Sequence, residues 1–185
     1  MSKGLKTSNP RIYVVGDACG GPQSAQAAAR QGQLVVRNAL LGLPASGDPL
    51  LVPRITYTDP EIAEVGLSES TARTRHGIRF RVTRWAFADN DLARARRATY
   101  GVAKLITDRS GKIIGAGVVG AGAGELISLF ALAMANGLSA RDLARFVAPD
   151  PSLSQIAMRL GAQFLRNEAK SPWMQRWIAL YRLLG

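Results

Sequence analysis

The chain of 185 residues holds a single cysteine, Cys19, which excludes an internal disulfide and any metal cage built from cysteine alone. It has no run of 18 apolar residues, so no segment reads as a membrane-spanning helix. The opening MSKGLKTSNPR is charged and has no apolar h-region, which argues against a secretory signal and leads us to expect a cytoplasmic protein. Acids are scarce: 13 Asp and Glu stand against 24 Lys and Arg, a formal net charge of +11, so a polyanionic partner has to be considered. The densest basic stretches are Arg94, Arg96 and Arg97, with Arg73 and Arg75. The remaining basic residues are dispersed along the chain, and no helix-turn-helix, zinc-finger or RNP pattern organises them. A solvated or partner-covered surface is therefore the better reading than a nucleic-acid groove. No metal site is expected.

What is present begins with the stretch from Thr7 to Gly42. Ile12 to Val15 reads as a short strand ending at Gly16-Asp17, followed by a small-residue turn and a long helix. In that helix Ala25, Ala28, Ala29, Gly32, Val35, Val36, Ala39, Leu40 and Leu43 recur at the spacing of one buried face, and Gly42 stops it. Asp17 falls at the carboxyl end of the strand, the edge at which α/β sheets bind ligands and a following helix offers unpaired N–H groups. There a carboxylate can accept from the hydroxyls of a sugar-like chain, and the amides around Ala25 and Gln26 can meet an electron-rich ring. On its own, a Gly-Asp dipeptide is better read as a turn or cap.

Leu43 to Val52 reads as a linker. Beyond it, strands are expected at Ile55–Thr58, Ile62–Leu67, Arg79–Ala86, Gly101–Thr107 and Lys112–Val119, the last two joined by a hairpin turn through Asp108 to Gly111. A short helix is capped by Ser68 to Thr71 and ended at His76-Gly77. Helices follow at Glu125–Gly137, Ala140–Val147 and about Ser152–Arg166, the first almost wholly apolar and so expected to be buried. Strands first and helices after point to an α+β unit, an antiparallel sheet with helices packed on it. Gly115, Gly117 and Gly120 match G-x-G-x-x-G, but no helix opens within the motif and no second parallel strand carries an acid, so these glycines read as close packing at a sheet edge. The tail from Ser171 places Trp173, Trp177, Leu180 and Leu184 on one face of an amphipathic helix. Such a helix more commonly packs on the body or a dimer mate than on a membrane surface.

Thr7, Asn9-Pro10, Ile12 to Val15 and Gly16-Asp17-Ala18 together resemble the second flavin fingerprint of the FAD-dependent pyridine nucleotide-disulfide oxidoreductases, the family of dihydrolipoyl dehydrogenase, glutathione reductase and mercuric reductase. The likeness continues through Ile55 to Leu67, Phe87 to Arg94, Gly101 to Leu105, Ile114 to Ala116 and Gly124 to Ile127, landmarks of the family's dimerisation domain. The resemblance implies FAD as cofactor, with Asp17 on its ribityl chain, Gly16 and Ala18 beside it, and Ala25 at the start of the helix aimed at the flavin. It implies NAD(P)H as co-substrate of the complete enzyme, a homodimer, and a part in cell redox homeostasis. It also implies a division into 1–44, the last strand and helix of an FAD-binding domain; 45–52, a linker; 53–168, the dimerisation domain; and 169–185, a terminal helix.

The family's FAD-pyrophosphate fold with its cysteine pair and its NAD(P) domain should precede Thr7, so the chain reads as the C-terminal portion of a longer oxidoreductase and is expected to be inactive alone. Many members carry a His-Pro-Thr-x-x-Glu segment whose histidine shuttles protons. Here Asp150 stands in the histidine's place and Gln155 in the glutamate's, which makes Asp150 the one catalytic candidate and a loop acid the favoured alternative. Lack of that histidine draws the likeness toward the mercuric reductase branch, yet the C-terminal cysteine pair of mercury-handling enzymes is missing, so mercury reduction is not expected. The competing reading is a non-enzymatic dimeric module whose basic surface binds acidic partners or nucleic acid.

Overall fold

The computed structural model describes residues 4–21, 23–43, 47–170 and 174–175. The chain separates into two compact units, Met1–Arg54 and Ile55–Gly185.

In the first unit, α1 spans Ala25–Leu41. Ser24 caps it by accepting from the Ala27 amide, and Gly42 ends it in the left-handed conformation that glycine adopts without strain. The strand expected at Ile12–Val15 is not formed: Tyr13 makes only an isolated bridge to Lys6, and Ile12 and Val15 are exposed. A strand needs a neighbouring edge along its length, and the described residues of this unit offer only the few around Lys6. The expected buried face of α1 is likewise not the one covered. Ala27 and Leu34 are buried, with Leu34 packed on Leu5, Cys19 and Val35, whereas Val36, Leu40 and Leu43 stand exposed.

The second unit is an antiparallel sheet with helices. Its strands are β1 (Arg54–Thr56), β2 (Ile62–Gly66), β3 (Phe80–Ala86), β4 (Val102–Asp108) and β5 (Ile113–Val119), in the order β1-β2-β5-β4-β3. Period-2 alternation puts Ala63, Val118 and Ala103 opposite one another on one face, and Val65, Ala116 and Leu105 beside them. That face carries the core, closed by α4 (Ala123–Ala135), α5 (Ala140–Arg145) and α6 (Gln155–Ala169) through Ile127, Phe130, Leu143, Ile156, Leu160 and Phe164. The hairpin turn reads as expected, with Gly111 at φ 92 and the Asp108 carboxylate accepting from the Ser110 and Lys112 amides. The glycine run Gly115 to Gly120 does pack closely, but β5 is the central strand rather than an edge. A Cβ on Gly115 would lie 2.1 Å from the Leu67 carbonyl oxygen, and one on Gly120 2.6 Å from the Phe87 ring.

Three elements are not anticipated from sequence: a 3-10 turn at Pro49–Leu51 within the expected linker, another at Phe87–Asp89, and the short α3 at Asp91–Ala95, capped by Asn90. α4 is buried on one side only, through Leu126, Ile127 and Phe130, while Leu132 remains 67% exposed. α5 stops at Arg145, short of Val147, and opens with a capping box between Ser139 and Asp142. The tail helix expected from Ser171 lies outside the described residues apart from 174–175.

The helix α2 (Glu69–His76) packs on β3 and β4. Glu69 accepts from Arg84 at 2.6 Å and Lys104 at 3.1 Å, residues directly opposite each other in the sheet. The Lys104 hydrogen bond, then the charges of Arg84 and Lys104, outweigh desolvation and hold the Glu69 carboxyl below its usual value. A lowered folded-state pKa adds stability above the ordinary glutamate value of 4.5, and that stability is lost as pH falls through the folded value. Thermal melts of wild type and Glu69→Gln should accordingly differ by a few degrees at neutral pH and converge as the pH falls through the lowered value of the folded carboxyl. A gap independent of pH would show that the carboxylate's charge is not what anchors α2.

Candidate functional site

The turn that carries the flavin-fingerprint residues is a 3-10 helix, Gly16–Cys19, a few residues before α1 begins at Ala25. Gly16 takes φ 70, and its amide donates to Gln31 Oε1 at 2.7 Å. The Cys19 thiol donates to the same oxygen at 3.2 Å, so one glutamine from the middle of α1 fixes both ends of the turn. Gln31 was missed from sequence. Its signal is positional, since 27, 31 and 34 share the one face of α1 that is buried. Cys19 is half-buried against the Leu5 and Leu34 side chains, in keeping with its reading as a small filler at a turn.

Asp17 and Ala18 are exposed, and the Asp17 carboxylate makes no hydrogen bond or ion pair with a described residue. Ser24 engages the Ala27 amide by its side chain and the Ala28 amide by its carbonyl, leaving the first-turn amides of Ala25 and Gln26 without a partner among the described residues. A free carboxylate, which accepts, and free helix N–H groups, which donate, in one turn-and-helix unit fit a polyhydroxylated chain attached to an electron-rich ring. The residues present therefore fit a flavin chemically.

The second sequence-derived pair lies in the other unit. Asp150 is exposed, and Gln155 Nε2 donates to its Oδ1 at 2.8 Å, so the two residues singled out are brought together. The segment between them is tied down by Asn90, a buried side chain that sequence reading missed. Asn90 Nδ2 donates to the Ser152 carbonyl at 2.8 Å while its Oδ1 accepts from the Ala93 amide at 3.0 Å. A groove of about 280 Å³ opens beside this segment, floored by Leu126, Leu129 and Leu153 and rimmed by Arg96, Glu125 and Ser154. Among the described residues no group of three or more His, Cys, Asp or Glu is placed to hold a metal. None of the described helices is long and apolar enough to cross a membrane.

Comparison with known proteins bears on both units. Residues 52–159 match the pyridine nucleotide-disulphide oxidoreductase dimerisation domain. The chain is 36% identical over 157 residues to dihydrolipoyl dehydrogenase of Bacillus subtilis, covering 84% of this chain and 33% of that one. With the mitochondrial dihydrolipoyl dehydrogenase of Sus scrofa it shares 36% over 152 residues, 82% of this chain and 30% of the other. It is similar in structure to LpdA from Mycobacterium tuberculosis, with a TM-score of 0.82 and 29% identity, over 88% of this chain and 36% of LpdA. The HOCl-induced flavoprotein disulfide reductase RclA from Escherichia coli follows at a TM-score of 0.76 and 27% identity, over 87% of this chain and 37% of that one. The chain thus spans about a third of the length of the curated relatives it matches. The five-stranded sheet with its helices, found where the family's profile falls, leads to one conclusion: this chain belongs to the pyridine nucleotide-disulphide oxidoreductases and carries their dimerisation domain.

Proposed function

We propose that the chain is the C-terminal portion of a flavin-dependent NAD(P)-disulfide oxidoreductase, contributing a ribityl contact to FAD through Asp17 and building a homodimer through its second unit. The observation that carries this reading is the continuous likeness to LpdA and to dihydrolipoyl dehydrogenases, which covers more than four-fifths of the chain. FAD, when bound, supplies two-electron transfer between NAD(P)H and an acceptor. On this reading Asp17 accepts from ribityl hydroxyls, the Ala25 and Gln26 amides face the ring's electron-rich edge, and Gln31 holds Gly16 so that the backbone beside Ala18 keeps its shape. On the same reading the chain divides at 44, 52 and 168, a division supported by the match of residues 52–159 to the dimerisation domain.

The homodimer reading draws support from α4, whose Leu132 is left exposed and whose Leu129 sits at an open groove. Uncovered aliphatic side chains on one helix face are what a second copy would bury. Asp150 keeps its proposed part as a proton acceptor only in the complete enzyme, where Gln155 would orient it but cannot supply a second charge.

The 185-residue polypeptide, purified alone, should sediment as a dimer, retain no yellow chromophore and oxidise no NADH. In the complete enzyme, Asp17→Ala should weaken FAD retention by roughly tenfold or more, the loss expected for charge-assisted hydrogen bonds. Unchanged flavin affinity in that variant would remove the ribityl contact, and a monomer at micromolar concentration would remove the dimer.

A further inference from the structure

Arg94 and Arg97, at the end of α3 and just after it, are not used by the function proposed above, whereas Arg96 lines the groove at Leu129 assigned there to a second copy. Arg94, Arg96 and Arg97 fall within four residues, all exposed, and none makes an ion pair or side-chain hydrogen bond with a described residue. Of the acids of this region, Asp89 precedes α3, and Asp91 at its first turn lies three residues from Arg94 without forming an ion pair with it. Glu125 shares only the rim of the groove with Arg96.

Arg97 stands at φ 55, one of two non-glycine residues among those described with a positive φ. It occupies the position after the helix where glycine normally sits: its amide donates to Arg94 O at 3.0 Å, and the Ala98 amide donates to Ala93 O at 2.8 Å. A side chain in this conformation is tolerated at a cost, and glycine would avoid it. Three residues on, Tyr100 is 75% exposed. Its neighbour Gly101 is fixed, because its carbonyl accepts from the Phe87 amide at 3.1 Å and a Cβ there would lie 2.1 Å from the Val119 carbonyl oxygen. The backbone is therefore held on both sides of a short turn that presents cations and one aromatic ring to solvent.

We propose that this turn is a binding site for single-stranded nucleic acid, with Arg94 and Arg97 meeting backbone phosphates and the ring of Tyr100 offering a face on which a base stacks. Cations alone would suit any polyanion; an exposed aromatic ring beside them, on backbone held at Gly101, favours a ligand with flat bases over an acidic lipid surface. The chain's net charge of +11 would draw such a ligand in from a distance.

The test is fluorescence anisotropy with a labelled oligothymidylate about 20 nucleotides long, titrated with the 185-residue chain over a series of salt concentrations. Arg94→Ala/Arg97→Gly should weaken binding roughly tenfold at low salt and make the slope of log K against log salt shallower by about 1.4, the share of two phosphate contacts on a single strand. Arg97→Gly alone should melt no lower than wild type, since glycine suits the conformation, so its weaker binding cannot be laid to misfolding. Arg75→Ala/Arg79→Ala removes the same charge from exposed positions elsewhere and should leave affinity within about twofold. Equal losses in the two double variants would overturn the proposal in favour of unspecific attraction to a basic protein. So would the absence of binding at low salt, or displacement of the oligonucleotide by anionic phospholipid vesicles.

Discussion

Gly115→Ala should destabilise the second unit by about 3 kcal/mol or more, seen as a fall of roughly 10 °C in melting temperature or as insoluble expression. The cause is steric. Gly115 lies in β5, paired with Gly66 on one side and Ile106 on the other, and the added methyl would sit 2.1 Å from the carbonyl oxygen of Leu67 and 2.9 Å from its amide. Both atoms belong to backbone that is itself engaged, since the Leu67 amide donates to Ile114 O at 2.9 Å. Relief would require β2 and β5 to part, and with them the middle of the sheet. Gly117, two residues along, has only Ala63 O at 4.0 Å and should accept alanine within about 1 kcal/mol. Equal effects at the two positions would mean that the close approach at Leu67 does not hold in solution.

The second large effect runs against helix propensity. Replacing glycine by alanine inside a helix ordinarily stabilises it by about 1 kcal/mol. At Gly32 in α1 a Cβ meets nothing within 4 Å, and Gly32→Ala should follow that rule. At Gly161 in α6 the sign reverses, because the methyl would lie 2.4 Å from the Ala144 amide and 2.6 Å from the Ala140 carbonyl oxygen, the backbone of α5. Gly161→Ala should cost roughly 2–4 kcal/mol, measurable by urea unfolding, as α5 is pushed off α6. The two helices are also joined where Arg141 donates to the Glu168 carboxylate at 2.8 Å, and that link would be strained with them. A stabilised Gly161→Ala would show that α5 is free to shift.

How far the sequence could be read depended on whether each signal was local. The cap at Ser68, the stop at Gly42 and the turn at Asp108 to Gly111 depend on a few consecutive residues, and all form as expected. Strand alternation in β2 to β5 was also legible, because the partners that bury one face lie within the same unit. Ile12 to Val15 has the same β-branched composition but no partner edge along its length among the described residues, and composition does not carry that information. α3 is five residues long, too short for a periodic pattern. The glycines of β5 fit a nucleotide motif as well as a packing role, and only the strand order places them at the centre of the sheet. At the candidate site, Asp17 and Ala25 were found by likeness to a family. Gln31 and Asn90, which hold the turn and the Asp150 segment, escaped because a polar residue inside an apolar pattern looks like a surface position until its partner is known.

Because β5 is the middle strand, β2 must wait for it: Ile62 pairs with Val119, and everything from α2 to the β4 hairpin is synthesised in between. A ribosome releasing this chain from its N-terminal end leaves β2 with one bare edge until residue 119 has emerged, whereas β3, β4 and β5 can zip together as they appear. Truncation before β5 should consequently yield aggregates, and chaperones would be expected to engage the nascent chain during that interval.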